Sequence, residues 1–260
     1  MWQLAFVIFV GCKWLTWRRI PVAGVPNWKH VAYLLAWPGL DAKAFLGAGP
    51  LAPGDKPTSR EWAFAALQIL IGAVLFWVGG RLIPHQHDLL RGWDGMIGLI
   101  LMLHFGLFRV LSCAWRAAGV NARPLMISPL AASRVSEFWG KRWNTAFRDL
   151  THRFLFRPLT ARLGAKWALG AGFLFSGLVH DLVISVPARG GYGGPTLFFT
   201  IQAMAMLAER TCFARTLALG NGFAGRLFTI LVLIAPAGIL FHPPFVRNII
   251  LPFMQAMRAT

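Results

Sequence analysis

The stretch WAFAALQILIGAVLFWVGGRLI, Trp62–Ile83, decides the fold. Its 22 residues carry a single charge, Arg81, near the far end. At about 1.5 Å per residue a helix of that length covers about 30 Å, the thickness of a bilayer's hydrocarbon core. Three further runs repeat the pattern: Asp94–Trp115, Lys166–Pro187 and Gly225–Phe241. Shorter apolar helices are expected at Trp2–Trp17, closed by Arg18 and Arg19, at Pro195–Ala208, and at Asn248–Met257. Asn27–Leu40 is too short to span and is broken at Pro38-Gly39, which fits a re-entrant or interfacial helix. Gly47–Arg60 reads as a Pro/Gly-rich loop, Pro84–Trp93 as a polar connector, and Pro243-Pro244 as a break. The N-terminus has no basic residues ahead of its apolar run, so it is expected to be a first membrane helix rather than a removed signal peptide. The fold class expected is an all-α, polytopic transmembrane helical bundle of about six to eight membrane helices, some short or re-entrant.

Composition agrees. The 260 residues are 57% hydrophobic and only 13% charged, too few charges to cover a water-facing surface of this size. The formal net charge is +17. In a water-soluble chain that would point to nucleic acid, but here the bases sit between apolar runs, as topology-setting loops beside anionic lipid require. Between residues 134 and 166 lie Arg134, Lys141, Arg142, Arg148, Arg153, Arg157, Arg162 and Lys166, against Glu137 and Asp149. This central segment is therefore placed in the cytosol. Cys12, Cys113 and Cys212 are widely spaced and contain no CxxC pair, so neither a disulfide framework nor a zinc site is indicated. Walker, HExxH and GxSxG motifs are missing as well, the last arguing against an α/β-hydrolase.

Two constellations could carry chemistry. In GAGFLFSGLVHDLVIS, residues 170–185, His180 and Asp181 interrupt an apolar helix, where an ionisable pair is costly and by default functional. Ser176 and Gly177 share the face of His180, and Gly172 with Ser176 makes a small-xxx-small pattern that lets a neighbour come close. The bland alternative is a histidine satisfied at a helix interface. The second constellation is Phe138-Trp139-Gly140-Lys141-Arg142-Trp143-Asn144. Its aromatics and bases also describe an amphipathic interfacial helix, although an amide among aromatics asks for a specific hydrogen-bond partner.

FWGKRWN, followed about 36 residues later by FSGLVHD, resembles the paired signature of the membrane-bound O-acyltransferases. The first motif is similar to the FWxxRWN form of the wax synthases. YLLAWPGLD at 33–41, RPL at 157–159 and LFHPPFVRN at 240–248 extend the likeness over residues 30 to 250. The resemblance implies an acyl-CoA-dependent O-acyltransferase with His180 and Asn144 as catalytic residues. Phe138, Trp139, Trp143, Lys141, Arg142, Arg148, Ser176 and Asp181 would line the substrate site. The chain is expected to form one membrane-embedded acyltransferase domain over residues 1–260: an N-terminal helix and re-entrant segment at 1–60, a cytosolic basic segment at 117–166, and catalytic helices at 167–257.

A neutral His180 would act as general base on a long-chain alcohol, with direct transfer from the thioester, because no serine or cysteine nucleophile with a partner base is visible. No cofactor or metal is expected to be permanently bound, and acyl-CoA enters as co-substrate. The partners expected are acyl-CoA, a lipophilic alcohol, the bilayer and, as a candidate, a second copy of the chain, with no nucleic acid. Two alternatives stand beside this reading: a related transferase acting on a sterol, diacylglycerol or sugar hydroxyl, and a transporter using His180-Asp181 as a proton relay. His85, His87 and Asp88 are expected to be structural, His104 to sit at a helix interface, and His242 to be interfacial.

Overall fold

The computed structural model describes residues 1–20, 24–47, 55–216 and 219–260, so positions 48–54 of the expected Pro/Gly-rich loop lie outside the described residues. Among the described residues every regular element is helical. The helices are α1 (Trp2–Trp17), α2 (Asn27–Ala36), α3 (Ala42–Leu46), α4 (Ser59–Leu82) and α5 (His85–Ala117). Then follow α6 (135–142), α7 (145–163), α8 (Ala165–Ala188), α9 (Gly194–Ala208), α10 (Cys212–Thr216), α11 (Gly222–Leu240) and α12 (243–256). Four of these, α4, α5, α8 and α11, are long and apolar enough to cross a membrane, and α1 and α9 are shorter apolar helices. This is the all-α membrane architecture expected. The chain divides into two compact units, Ala5–Met126 with Phe253–Thr260, and Ile127–Pro252 with Met1–Leu4.

In the first unit α4 and α5 lie closely together. A methyl on Gly72 would stand 2.6 Å from the Gly98 carbonyl oxygen, so the seam admits backbone only. Thr58 caps α4 by accepting from the Glu61 amide at 3.3 Å, and the Glu61 carboxylate takes Arg109 at 3.1 Å and Arg116 at 2.8 Å. The break after α2 falls where expected: Trp37 turns extended ahead of Pro38. Lys13, 2% exposed, answers that break. Its ammonium donates to the Trp37 and Gly39 carbonyls at 2.7 and 2.5 Å and lies 3.5 Å from the Tyr33 ring centroid. Broken backbone inside an apolar setting survives only when such carbonyls find donors.

Two expectations are corrected. The polar stretch Pro84–Trp93 is not a connector, because helix α5 already begins at His85. Pro84 turns the chain, Asp88 sits in the first α-turn where an acid suits the dipole, and Arg91 folds inward, 6% exposed, onto the His85 Nδ1 at 2.6 Å. Pro243-Pro244 is a start rather than a mere break: both occupy the first turn of α12, where a missing N–H costs nothing.

The second unit contains α6 to α11 and most of α12. Helix α8 is α-helical to His180 and then widens to a π-turn over Asp181–Ser185, a feature common beside functional residues. Helix α9 lies against α8 through Gly177, whose missing side chain makes room for the Thr196 backbone. Pro236 in α11 has no N–H to give the Val232 carbonyl. The amide of Gln202 on α9, fully buried, supplies that bond at 2.9 Å.

Candidate active site

His180 closes the α-helical part of α8 and is half-buried. Its Nδ1–H donates to the Ser176 carbonyl one turn back at 2.7 Å. A carbonyl can only accept, so the proton sits on Nδ1 and Nε2 keeps a lone pair. The ring lies 4.5 Å, centroid to centroid, from Phe199 on α9.

Asp181 faces elsewhere. Its carboxylate accepts the Gly193 amide at 2.8 Å, the Thr196 amide at 3.0 Å, the Ser185 hydroxyl at 2.8 Å and the Thr196 hydroxyl. Gly193 and Thr196 stand at the start of α9, so Asp181 is the anion on that helix's N-terminus. Its hydrogen bonds all go to residues other than His180. A His180–Asp181 proton relay therefore has no geometric support.

The other motif meets His180 through rings. Phe138 stacks on Trp143 at 5.5 Å and meets Trp139 edge-on at 5.1 Å. Trp139 in turn contacts Phe173 at 5.8 Å and Phe199 at 5.5 Å. Phe199 thus contacts both Trp139 and His180. The Trp139 indole N–H donates to the Gln202 side-chain oxygen at 3.3 Å. At the far end of α9, the Glu209 carboxylate accepts the Val135 amide and, at 3.1 Å, the Ser136 amide, capping α6. One helix, α9, therefore ties both motifs together.

The basic residues separate. Arg142 bonds Glu137 at 2.8 Å and the carbonyls of Ile127 and Ser128, both at 3.2 Å. The Ser133 amide at 2.9 Å, with Arg142 beside it, holds the Glu137 carboxyl below its ordinary value. Arg148 is occupied by Asp149 and, at 2.8 Å, by the Gly140 carbonyl. Lys141 is exposed and lines a polar cavity of about 420 Å³ with Arg134, Glu137 and Asn221. Asn144 adopts the left-handed conformation (φ 42°, ψ 60°) that turns α6 into α7, a role asparagine tolerates better than most residues. Ser176 contributes its backbone carbonyl to His180. The close approach expected at Gly172 occurs instead at Gly177, since Gly172 has nothing within 4 Å of its Cβ position.

Four residues were given no site role by the sequence: Phe199, Gln202, Ser185 and His242. His242 is 6% exposed, with Nε2 3.2 Å from the Ser185 hydroxyl, and burial lowers its pKa. Gln202 carried a usable signal, being the lone amide in an apolar helix. The other three are ordinary residues until the chain brings them together. In the first unit, His104 lines a cavity of only about 10 Å³, room for about one water.

Residues 122–201, which hold both motifs, match the Membrane bound O-acyl transferase family. The chain is 27% identical to the probable long-chain-alcohol O-fatty-acyltransferase 9 of Arabidopsis thaliana, over 51% of this chain and 42% of that protein. Identity to the probable long-chain-alcohol O-fatty-acyltransferase 7 of the same plant is 28%, over 58% and 47%. For the long-chain-alcohol O-fatty-acyltransferase of Simmondsia chinensis it is 25%, over 59% and 48%. Each match covers less than half the length of the relative. The wax-synthase-like resemblance carried by FWGKRWN and FSGLVHD is thus borne out.

Proposed function

We propose that this chain, an integral membrane protein similar to the membrane bound O-acyl transferases, moves a fatty acyl group from acyl-CoA to the hydroxyl of a long-chain alcohol. The observation that carries the reading is the state of His180: Nδ1–H committed to the Ser176 carbonyl and Nε2 left with its lone pair, beside the ring cluster of the second motif. Nε2 takes the alcohol proton as the oxygen attacks the thioester carbonyl carbon. The C–S bond then breaks, the imidazolium returns the proton to the departing thiolate, and ester and free CoA leave. Asp181, Gly177 and Thr196 hold α9 so that Phe199 backs the imidazole. Phe138, Trp139 and Trp143 supply apolar walls for acyl chain or alcohol.

The basic segment around α6 and α7 faces the cytosol in this reading, because its excess of Lys and Arg follows the positive-inside pattern. The donor's phosphates then meet Lys141, which is exposed on the polar cavity, while Arg142 and Arg148 hold the motif together. Asn144 acts by setting the turn that presents Trp143.

The test is to incubate membranes containing the protein with labelled palmitoyl-CoA and, in separate reactions, hexadecanol, a sterol, diacylglycerol and a sugar. Labelled wax ester is expected from hexadecanol, and none from the His180→Ala protein inserted at the same level. Labelled ester from another acceptor alone would reassign the substrate; wild-type turnover in the His180→Ala protein would remove the imidazole from the chemistry.

A further inference from the structure

His242 begins α12, and its Nδ1 accepts the Phe245 amide at 3.2 Å, so that nitrogen carries no proton. The proton sits on Nε2, which lies 3.2 Å from the Ser185 hydroxyl. Ser185 is completely buried and has one hydrogen to give. The Asp181 carboxylate at 2.8 Å is a nearer and stronger acceptor than the Gly191 carbonyl at 3.3 Å. The polar chain therefore runs in one direction, from His242 Nε2–H to Ser185 Oγ–H to Asp181. The loop is shaped around it: Gly191 has φ +69°, and a methyl there would stand 2.2 Å from the His242 ring.

We propose that Ser185 and His242 are positioning residues for His180, acting through Asp181. The chain fixes the rotation of the carboxylate that seats the first turn of α9, and α9 holds Phe199 against the imidazole. Without Ser185 the carboxylate keeps three donors, so α9 remains docked, but its setting loosens where the reacting geometry is most sensitive. A misplacement of about 1 Å costs up to about a hundredfold in rate. The inference rests on the acyl-transfer reading.

The experiment uses the full chain with palmitoyl-CoA and hexadecanol, comparing wild type, Ser185→Ala, His242→Asn, the double variant and His180→Ala. Asparagine at 242 still accepts from the Phe245 amide but cannot reach Ser185, so it separates the relay from the helix cap. Each single variant is expected to lower kcat about tenfold with donor KM changed less than about twofold, and Ser185→Cys, which keeps a donor of similar size, to recover part of that loss. The double variant should be no slower than about threefold below the slower single, because both act through one carboxylate. Wild-type kcat in His242→Asn, or losses that multiply in the double, overturns the proposal. His242→Asn also decides the matter if Ser185→Ala does not fold. A wild-type protein that makes no ester, or an active His180→Ala, sinks the acyl-transfer reading itself; an inactive His180→Ala beside wild-type-like relay variants sinks only this inference.

Discussion

Gly177 is pressed against Thr196: a methyl on Gly177 would stand 2.6 Å from the Thr196 Cα, and the obstacle is backbone that no rotamer change can move. Since Gly177 precedes His180 by one turn, whatever enters here separates α8 from α9 beside the imidazole. Gly177→Val should cost about 1–3 kcal/mol and lower turnover about tenfold or more. Thermal unfolding in detergent and ester formation read the two effects. A valine variant matching wild type in both would show that the contact does not control the site.

Gln202 is the joint between the two motifs' helix and the kink in α11. Replacing it with leucine keeps the volume but strips the Val232 carbonyl and the Trp139 indole of their partners, 2.9 and 3.3 Å away. Leaving buried polar groups unpaired costs about 1–3 kcal/mol each. Gln202→Leu should therefore unfold at lower temperature although it is the more apolar side chain; an unchanged or raised midpoint would contradict this.

The membrane helices were legible because hydropathy runs such as Trp62–Ile83 respond to the solvent, not to any partner. The start of α5 was not: Pro84-His85-Gln86-His87-Asp88 is polar, and only the inward fold of Arg91 onto His85 shows why it is helical. His180 and Trp139 stood out through their motifs. Phe199, Ser185 and His242 did not, since their meaning depends on pairings across long stretches of chain, 57 residues for Ser185 and His242. Asp181 stood out in the sequence as a charge in an apolar helix, but its partners did not. Its neighbour in sequence is His180, whereas its donors come from residues 185, 193 and 196.

Lys141 and Arg142 are adjacent cations with opposite expectations. Lys141→Met leaves every hydrogen bond of α6 in place and removes a charge from the polar cavity, so it should raise the palmitoyl-CoA KM several-fold at constant unfolding temperature. Arg142→Met removes the partner of Glu137 and of two carbonyls, so it should lower the unfolding temperature, with a loss on the order of 2–3 kcal/mol for a partly buried charge network. Equal effects of the two variants on stability would overturn the separation of roles.

Acid should act on the second unit in two stages. The folded His242 has a pKa below the ordinary value of 6.5, burial being the cause. As pH falls through about 6.5 the unfolded chain binds a proton that the folded chain still refuses, so stability declines from there downward. Glu137 is also held below its ordinary value, 4.5, by the Ser133 amide and Arg142. Its contribution is complete above 4.5 and disappears as pH falls through the lower, folded value. Unfolding temperatures measured from pH 8 to 3 in detergent should therefore decline first near neutrality and again in strong acid. His242→Asn should make the first decline shallower and leave the second unchanged, because asparagine keeps the Phe245 cap without titrating. Glu137→Gln should do the reverse. If His242→Asn retains the full slope between about pH 7 and pH 5, the proton taken up on unfolding belongs to another group, and the neutral imidazole in the relay to Asp181 loses its support.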